Sequence, residues 1–262
     1  MIGFTVAVIV VILSIISPLL ISFDPLTSVL GDRLLSPGVE GHIMGTDQLG
    51  RDIFSRLLIG SRYSLIISLI VVALSAVIGT FLGLVSGYFG GIVDTLIMRI
   101  SEIFLSIPQL ILAIAIMAML GNSIPNLIMV LVITSWTSYS KVARNNVLVQ
   151  KNMDFVHASQ VMGAGKVHIM LTQIFPNITT PLIIQISQQF GMTIMVEASL
   201  SFLGLGIPQP TPSWGNMIAD GRTYLTTAPW MVIAPGIALM VTVLAFNFLG
   251  DGLRDVFDPK RT

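Results

Sequence analysis

The sequence predicts an all-α membrane protein, a single domain over residues 1–262 with six transmembrane helices and one helical segment outside the bilayer. Three observations lead there. Hydrophobic residues fill 54% of the 262 positions and charged ones only 10%, against roughly 25% charged in an ordinary soluble domain. The mean hydropathy is +0.90. The few charges are clustered, leaving uncharged windows long enough to cross a bilayer, which takes about 20 apolar residues over roughly 30 Å. Such a composition excludes a soluble globular enzyme and a disordered chain. Thirteen basic and thirteen acidic residues cancel, so no net field draws nucleic acid or an anionic surface. With no cysteine, the chain has no disulfides, thiolate zinc sites or cysteine nucleophiles.

Each span follows from a window. Met1–Phe23 carries no charge and ends at Asp24-Pro25. It lacks a basic start and a clear small-x-small cleavage site, so an uncleaved first helix over about 2–23 is expected. Tyr63–Val93 holds the second helix, at about Ser64–Tyr88. Ile103–Ser140 is too long for one crossing. Its turn-forming centre, Gly121-Asn122-Ser123-Ile124-Pro125-Asn126, divides it into helices at about Ile103–Leu120 and Ile124–Val142. The fifth helix covers about Pro181–Leu205 and contains one acid, Glu197. The sixth covers about Pro229–Leu249, before the short polar tail Gly250–Thr262.

Basic residues set the expected orientation. With both termini in the cytoplasm, the inner segments hold eight: Arg99, Lys141, Arg144, Lys151, Lys166, Arg254, Lys260 and Arg261. The outer segments hold five: Arg33, Arg51, Arg56, Arg62 and Arg222. The two long connections, Asp24–Arg62 and Ala143–Asn177, are where function outside the membrane is expected.

In helix two, Ser75, Gly79, Gly83 and Gly87 recur every four residues and give one face of small side chains. That face fits close packing within the chain or an interface with a partner membrane subunit; periodicity does not separate them. Glu197 is costly in hydrocarbon, by roughly 2.5 kcal/mol or more, so it should face protein or a wet cavity. It reads either as a pathway or gate residue or as a helix-to-helix hydrogen bond. Gln185 and Gln189, one turn apart, and Gln188 add a polar face to the same helix. An ion-coupled carrier working alone, with Glu197 as its coupling carboxylate, is the alternative from another functional class. His42, His157 and His168 form no ligand set and read as surface residues; no metal site is expected. No paired-carboxylate or Ser-His-Asp arrangement declares itself, so no catalytic residue is expected. No phosphate-binding loop of the Gly-x-x-x-x-Gly-Lys-Ser/Thr type occurs, so by this route the chain binds no ATP.

Between Ala143 and Asn177, the stretch Asp154-Phe155-Val156-His157-Ala158-Ser159-Gln160-Val161-Met162-Gly163 reads as a short helix stopped by glycine. Its small residues, Ala158 and Ser159, suit an exposed helix that seats in a partner's cleft; a helix lying on the membrane is the alternative.

Ala158, Ser159, Gly163 and Phe175-Pro176 resemble the cytoplasmic "EAA" motif of the membrane subunits of bacterial ABC importers, with His157 at the Glu position, Ser159 at the second Ala and Phe175 at the Leu before Pro. Three longer stretches are similar to the dipeptide, oligopeptide and nickel permease family. They are Gly45-Thr46-Asp47-Gln48-Leu49-Gly50-Arg51-Asp52-Ile53-Phe54-Ser55-Arg56; Glu197–Gly206 continuing to Pro212-Ser213-Trp214-Gly215; and Ala245–Asp255 followed by Asp258-Pro259. Together they resemble the second, "C-type" permease subunit of that family, from about Leu34 to Lys260.

The resemblance implies the ABC importer permease fold in a bacterial cytoplasmic membrane. It implies a second homologous permease, two ATPase subunits holding ATP and magnesium, and an extracytoplasmic binding protein. Asp154, His157, Ala158, Ser159 and Gly163 would form the ATPase-coupling segment. The outer segments 24–62 and 206–228 would face the binding protein. Peptides lead as substrate over nickel or chelated metal, although Arg33-Leu34-Leu35-Ser36-Pro37 and the non-Glu coupling position also look like nickel permeases.

Overall fold

The computed structural model describes residues 2–257. The Asp258-Pro259 end of the third matching stretch, with Lys260, Arg261 and Thr262, lies outside them. The helices are α1 (Ile2–Leu20), α2 (Ile53–Phe89), α3 (Gly91–Ser106), α4 (Gln109–Leu120), α5 (Ile124–Gln150), α6 (Asp154–Val161), α7 (Lys166–Ile169), α8 (Phe175–Phe202), α9 (Trp214–Gly221) and α10 (Trp230–Phe257). Among the described residues the only β pairing is two isolated bridges, Val39 with His42 and Thr46 with Asp52.

α2 starts at Ile53 rather than Ser64, because the Asp52 carboxylate accepts the Ser55 N–H at 2.7 Å and caps the helix. Its 37 residues span about 55 Å, more than the hydrocarbon core, so the polar first turns extend beyond the apolar part. The helix expected over Ile103–Leu120 is broken. α3 and α4 meet at Ile107-Pro108 with a 90° bend. Proline disfavours helical geometry in the residue before it, and Ile107 is extended, at φ −109° and ψ 131°.

α5 is capped by Ser123, whose hydroxyl accepts the Asn126 N–H at 3.3 Å. It runs to Gln150, two turns beyond the expected Val142. α8 follows without interruption from α7 through a π-helical turn at Met170–Ile174, so Pro181 lies inside the helix instead of starting it. α10 continues past the expected Leu249 to Phe257.

Four helical stretches are long and apolar enough to cross a membrane: in α1, in α2, over Lys166–Phe202 and in α10. The bent pair α3–α4 makes a fifth when taken as one span. α5 has the length, 27 residues, but Thr, Ser, Lys and Arg occupy its second half. It is surrounded by protein instead: α2, α3, α4 and α8 pack on it, and Leu127, Val130, Leu131, Tyr139, Ala143 and Val147 are fully buried.

The α2–α5 seam is where the small residues of α2 lie. A Cβ on Gly79 would strike the Trp136 carbonyl oxygen and come within 2.7 Å of the Tyr139 Cβ. On Gly83 it would strike the Ser140 carbonyl oxygen and lie 2.6 Å from the Ala143 Cβ, and on Gly87 2.8 Å from the Val147 Cβ. Ser75 on the same helix is fully buried. The four-residue spacing therefore lets two backbones of one chain touch. A second apolar cluster, around Leu84, Ala143, Val147, Val156, Ile169, Ile174 and Ile178, fixes α6 and α7 against the ends of α2, α5 and α8. α1 and α10 pack with α8 around Ala7, Leu65, Ile194, Trp214 and Ala245.

Candidate functional site: the α6 segment and the α8 helix

The α6 segment is amphipathic in the literal sense. Val156 is fully buried in the cluster under α2 and α5, while Asp154, His157 and Ala158 point outward. Ser159 differs from the expectation of a small outward docking residue. It is buried, donates to the Phe155 carbonyl at 2.9 Å, and bonds the Gln173 side-chain amide. It seats the helix, leaving Ala158 as the small outward residue.

Gly163 has φ +83° and closes α6 in a Schellman turn. Its N–H reaches the Gln160 carbonyl at 3.0 Å, and the Ala164 N–H reaches the Ser159 carbonyl at 3.0 Å. Beside it Val161 and Met162 are 88% and 79% exposed, an apolar knob at the tip of the segment.

A cleft of about 320 Å³ opens next to α6, lined by Tyr88, Phe89, Lys151, Asn152, His157, Gln160 and Lys166. Lys151 donates to the Gly87 carbonyl at 3.0 Å and so holds the end of α2. Asp94, which sequence reasoning did not single out, ties α3 to α5: both oxygens accept from Arg144, with Nη2 to Oδ2 at 2.6 Å, and the Ser86 hydroxyl adds a third bond. A lone carboxylate one turn past a Gly-Gly pair was the available signal.

On α8, Gln185, Gln188 and Gln189 are partly exposed, and Met192 and Met195 extend the same side. Glu197 does not join them. It lies about 140° around the helix from Met192 at 3.6 residues per turn, fully buried. The Ser201 hydroxyl donates to its Oε1 at 2.7 Å, and the Ile207 N–H donates to that same hydroxyl at 3.2 Å. Asn216 Nδ2 of α9 then donates to the Ile207 carbonyl at 2.7 Å. Ser64 of α2 is the other hydroxyl beside the Glu197 side chain. Glu197 thus stands at the junction of α2, α8 and α9, away from the exposed side of α8.

The glycines nearby follow from this junction. Gly204, at φ +79°, ends α8 in a second Schellman turn, with Leu205 N–H on the Leu200 carbonyl at 2.8 Å. A Cβ on Gly215 would strike the Ala198 carbonyl oxygen and sit 2.7 Å from the Ser201 Cβ.

The stretch 45–56 is an ionic knot at the same end of the bundle. Arg51 Nε donates to Asp47 Oδ2 at 2.7 Å and its Nη2 lies 3.7 Å from Asp220 Oδ2. Arg56 Nε lies 3.5 Å from Asp47 Oδ2, and its Nη1 donates to the Pro25 carbonyl at 3.2 Å. Both arginines and Asp47 are buried and Asp220 is partly so, which places opposite charges together out of water. His42 is buried as well, correcting the surface reading made from spacing. Its Nδ1 lies 2.9 Å from Asp52 Oδ1, and Phe23 stacks on its ring at 4.3 Å. His157 and His168 are exposed. Among the described residues no three His, Cys, Asp or Glu side chains converge in a way that could hold a metal ion.

The dipeptide transport system permease protein DppC of Haemophilus influenzae is 40% identical over 265 aligned positions, covering 99% of this chain and 90% of that protein. The probable D,D-dipeptide transport system permease protein DdpC of Escherichia coli K12 is 42% identical over 255, covering 97% and 85%. Among solved structures, an inward-facing crystal form of the MetNI methionine ABC transporter superposes with a TM-score of 0.64 at 19% identity, over 78% of this chain and 97% of that one, which speaks to the fold. Residues 79–262 match the family of binding-protein-dependent transport system inner membrane components. With the α6 segment, the glycine seam and the α8–α9 junction in place, the chain belongs to that family of ABC importer permeases.

Proposed function

We propose that this chain is one of two related permease subunits of a peptide importer, forming half of the translocation pathway and receiving the ATPase stroke through α6. The relatives' names speak for peptides over nickel or chelated metal, since both are dipeptide permeases. The α6 end is cytoplasmic, both termini are inside, and α5 completes six crossings together with α1, α2, the bent pair, α8 and α10. A second permease, two ATPase subunits carrying ATP and magnesium, and an extracytoplasmic binding protein complete the machine.

One observation carries the coupling role: α6 is rigidly seated through Val156 and Ser159 yet presents Ala158, His157 and the Val161-Met162 knob outward. A force on that outer side is transmitted through the packed cluster of Leu84, Ala143, Val147 and Ile178 into α2, α5 and α8. Gln185, Gln189 and the exposed methionines of α8 then line the pathway between the two permeases. Their amides can exchange hydrogen bonds with a peptide backbone, and the thioethers adapt to varied side chains.

The test is Ala158→Arg, with Gly163→Val as companion. Arginine places bulk and charge in a packed contact, where overpacking costs about 1–3 kcal/mol. Both variants should insert with the partner permease but lose the ATPase subunits, or lose substrate-stimulated hydrolysis, in reconstituted vesicles. Wild-type coupling in Ala158→Arg removes the basis for the assignment.

A further inference from the structure

The cleft beside α6 has an electrostatic character that its family membership does not supply. Three of its seven lining residues, Lys151, His157 and Lys166, are basic or capable of becoming so, and none is acidic. Lys151 is held by the Gly87 carbonyl, and Asp94, a carboxylate that feels its charge, is already bound by Arg144. Asp154 is exposed in the first turn of α6 and is outside the lining. Lys166 and His157 are exposed, and their side chains have no hydrogen-bond or ion-pair partner among the described residues. Two amides, on Asn152 and Gln160, complete the wall, and Tyr88 and Phe89 pack edge to face below.

These side chains offer donors and few acceptors. Lysine brings three N–H groups and no acceptor, and an imidazole brings at least one N–H in either protonation state. A carboxylate, with two oxygens and about four lone-pair sites, matches that set. His157 and Gln160 belong to α6 itself, so the cleft is continuous with the outward side that carries Ala158, Val161 and Met162.

We infer that this cleft receives an Asp or Glu side chain of the ATPase subunit docking on α6, so that the permease supplies the positive half of an ion contact at its coupling segment. The inference rests on the coupling role proposed above. The apolar knob then seats beside the ion contact, and the exposed charges give the association its salt dependence.

The experiment uses the full complex in vesicles, measuring retention of the ATPase subunits across a salt series. Lys166→Gln removes the free charge and should weaken retention about two- to five-fold at low salt, the range of an exposed ion pair. Lys166→Glu places like charges together and should weaken it at least about ten-fold. The difference from wild type should shrink toward 1 M salt, where the Debye length falls to about 3 Å. Replacing one acidic residue of the ATPase docking surface by Lys should restore Lys166→Glu. Unchanged retention in Lys166→Glu overturns the inference, and if Ala158→Arg still loses the ATPase, the docking role survives without it. Unchanged retention combined with a lost response to anionic lipid in the vesicles would assign the cleft to a lipid headgroup instead, which also overturns it.

Discussion

At the residue scale, Glu197 is a buried acid held at one oxygen. Its Oε1 accepts from Ser201, its Oε2 has no hydrogen-bond partner among the described residues, and the chain of bonds runs from Ser201 through Ile207 to Asn216 of α9. These bonds connect α8 to the loop that follows it and, through that loop, to α9. Two substitutions separate this from a role in the pathway. Glu197→Gln keeps an oxygen for Ser201 and nearly the same volume, so the complex should assemble and retain most of its transport. Glu197→Ala leaves the Ser201 hydroxyl without its acceptor, at about 1–3 kcal/mol, and should lower the unfolding midpoint of the solubilised complex. An alanine variant as heat-stable as wild type would mean the junction is not held by this residue. The acid was visible in the sequence; its direction was not, because which side of α8 is covered depends on α2 and α9, distant in the chain.

At the scale of elements, the glycine face of α2 was legible because a four-residue spacing has one geometric meaning, close approach of a helix. Whether the approaching helix belonged to this chain was not legible, and the seam with α5 answers it through Gly79, Gly83 and Gly87. The bend at Pro108 lies inside the uncharged Ile103–Leu120 stretch, while Asp94, Arg99 and Glu102 leave most of α3 outside it, so charge spacing alone does not pair α3 with α4. Asp47, Arg51 and Arg56 lie in the 45–56 stretch that resembles the permease family, but their partner Asp220 lies in none of the matching stretches, far away in sequence. The seam makes a paired prediction. Gly83→Ala must push against the Ser140 backbone and the Ala143 Cβ, so it should destabilise by about 1–3 kcal/mol. Gly236 lies in α10 with nothing within 4 Å of an added Cβ, so Gly236→Ala should be neutral or gain up to about 1 kcal/mol from helix propensity. Thermal unfolding of the two variants in the same detergent decides it; equal midpoints would mean the seam is looser than these contacts imply.

For the whole molecule, the number of crossings fixes which end of the bundle shares a side with α6. Six crossings and a basic bias of eight against five set the expected orientation, and the bias is spread over loops whose sides alternate only if every crossing is real. The bent α3–α4 pair and the polar half of α5 are the places where that alternation can fail, since a re-entrant pair would move everything after it to the other side. The chain has no cysteine, so one introduced thiol reports without background. The choice of position matters: Ser159 and Ser213 are buried and would be silent on either side. Val161, 88% exposed at the tip of α6, and Thr226, exposed in the connection before α10, are open to reagent and mark opposite ends. In intact cells an impermeant maleimide should label Thr226→Cys and leave Val161→Cys unlabelled until the membrane is permeabilised. Adding Ser36→Cys, exposed in the connection between α1 and α2, fixes the side reached before the bent pair. Labelling of Ser36→Cys and Thr226→Cys together requires an even number of crossings between them, as α2, α3–α4, α5 and α8 supply. Ser36→Cys labelled with Thr226→Cys protected would show that one of those four does not cross, and Val161→Cys labelled from outside would remove α6 from the ATPase side altogether.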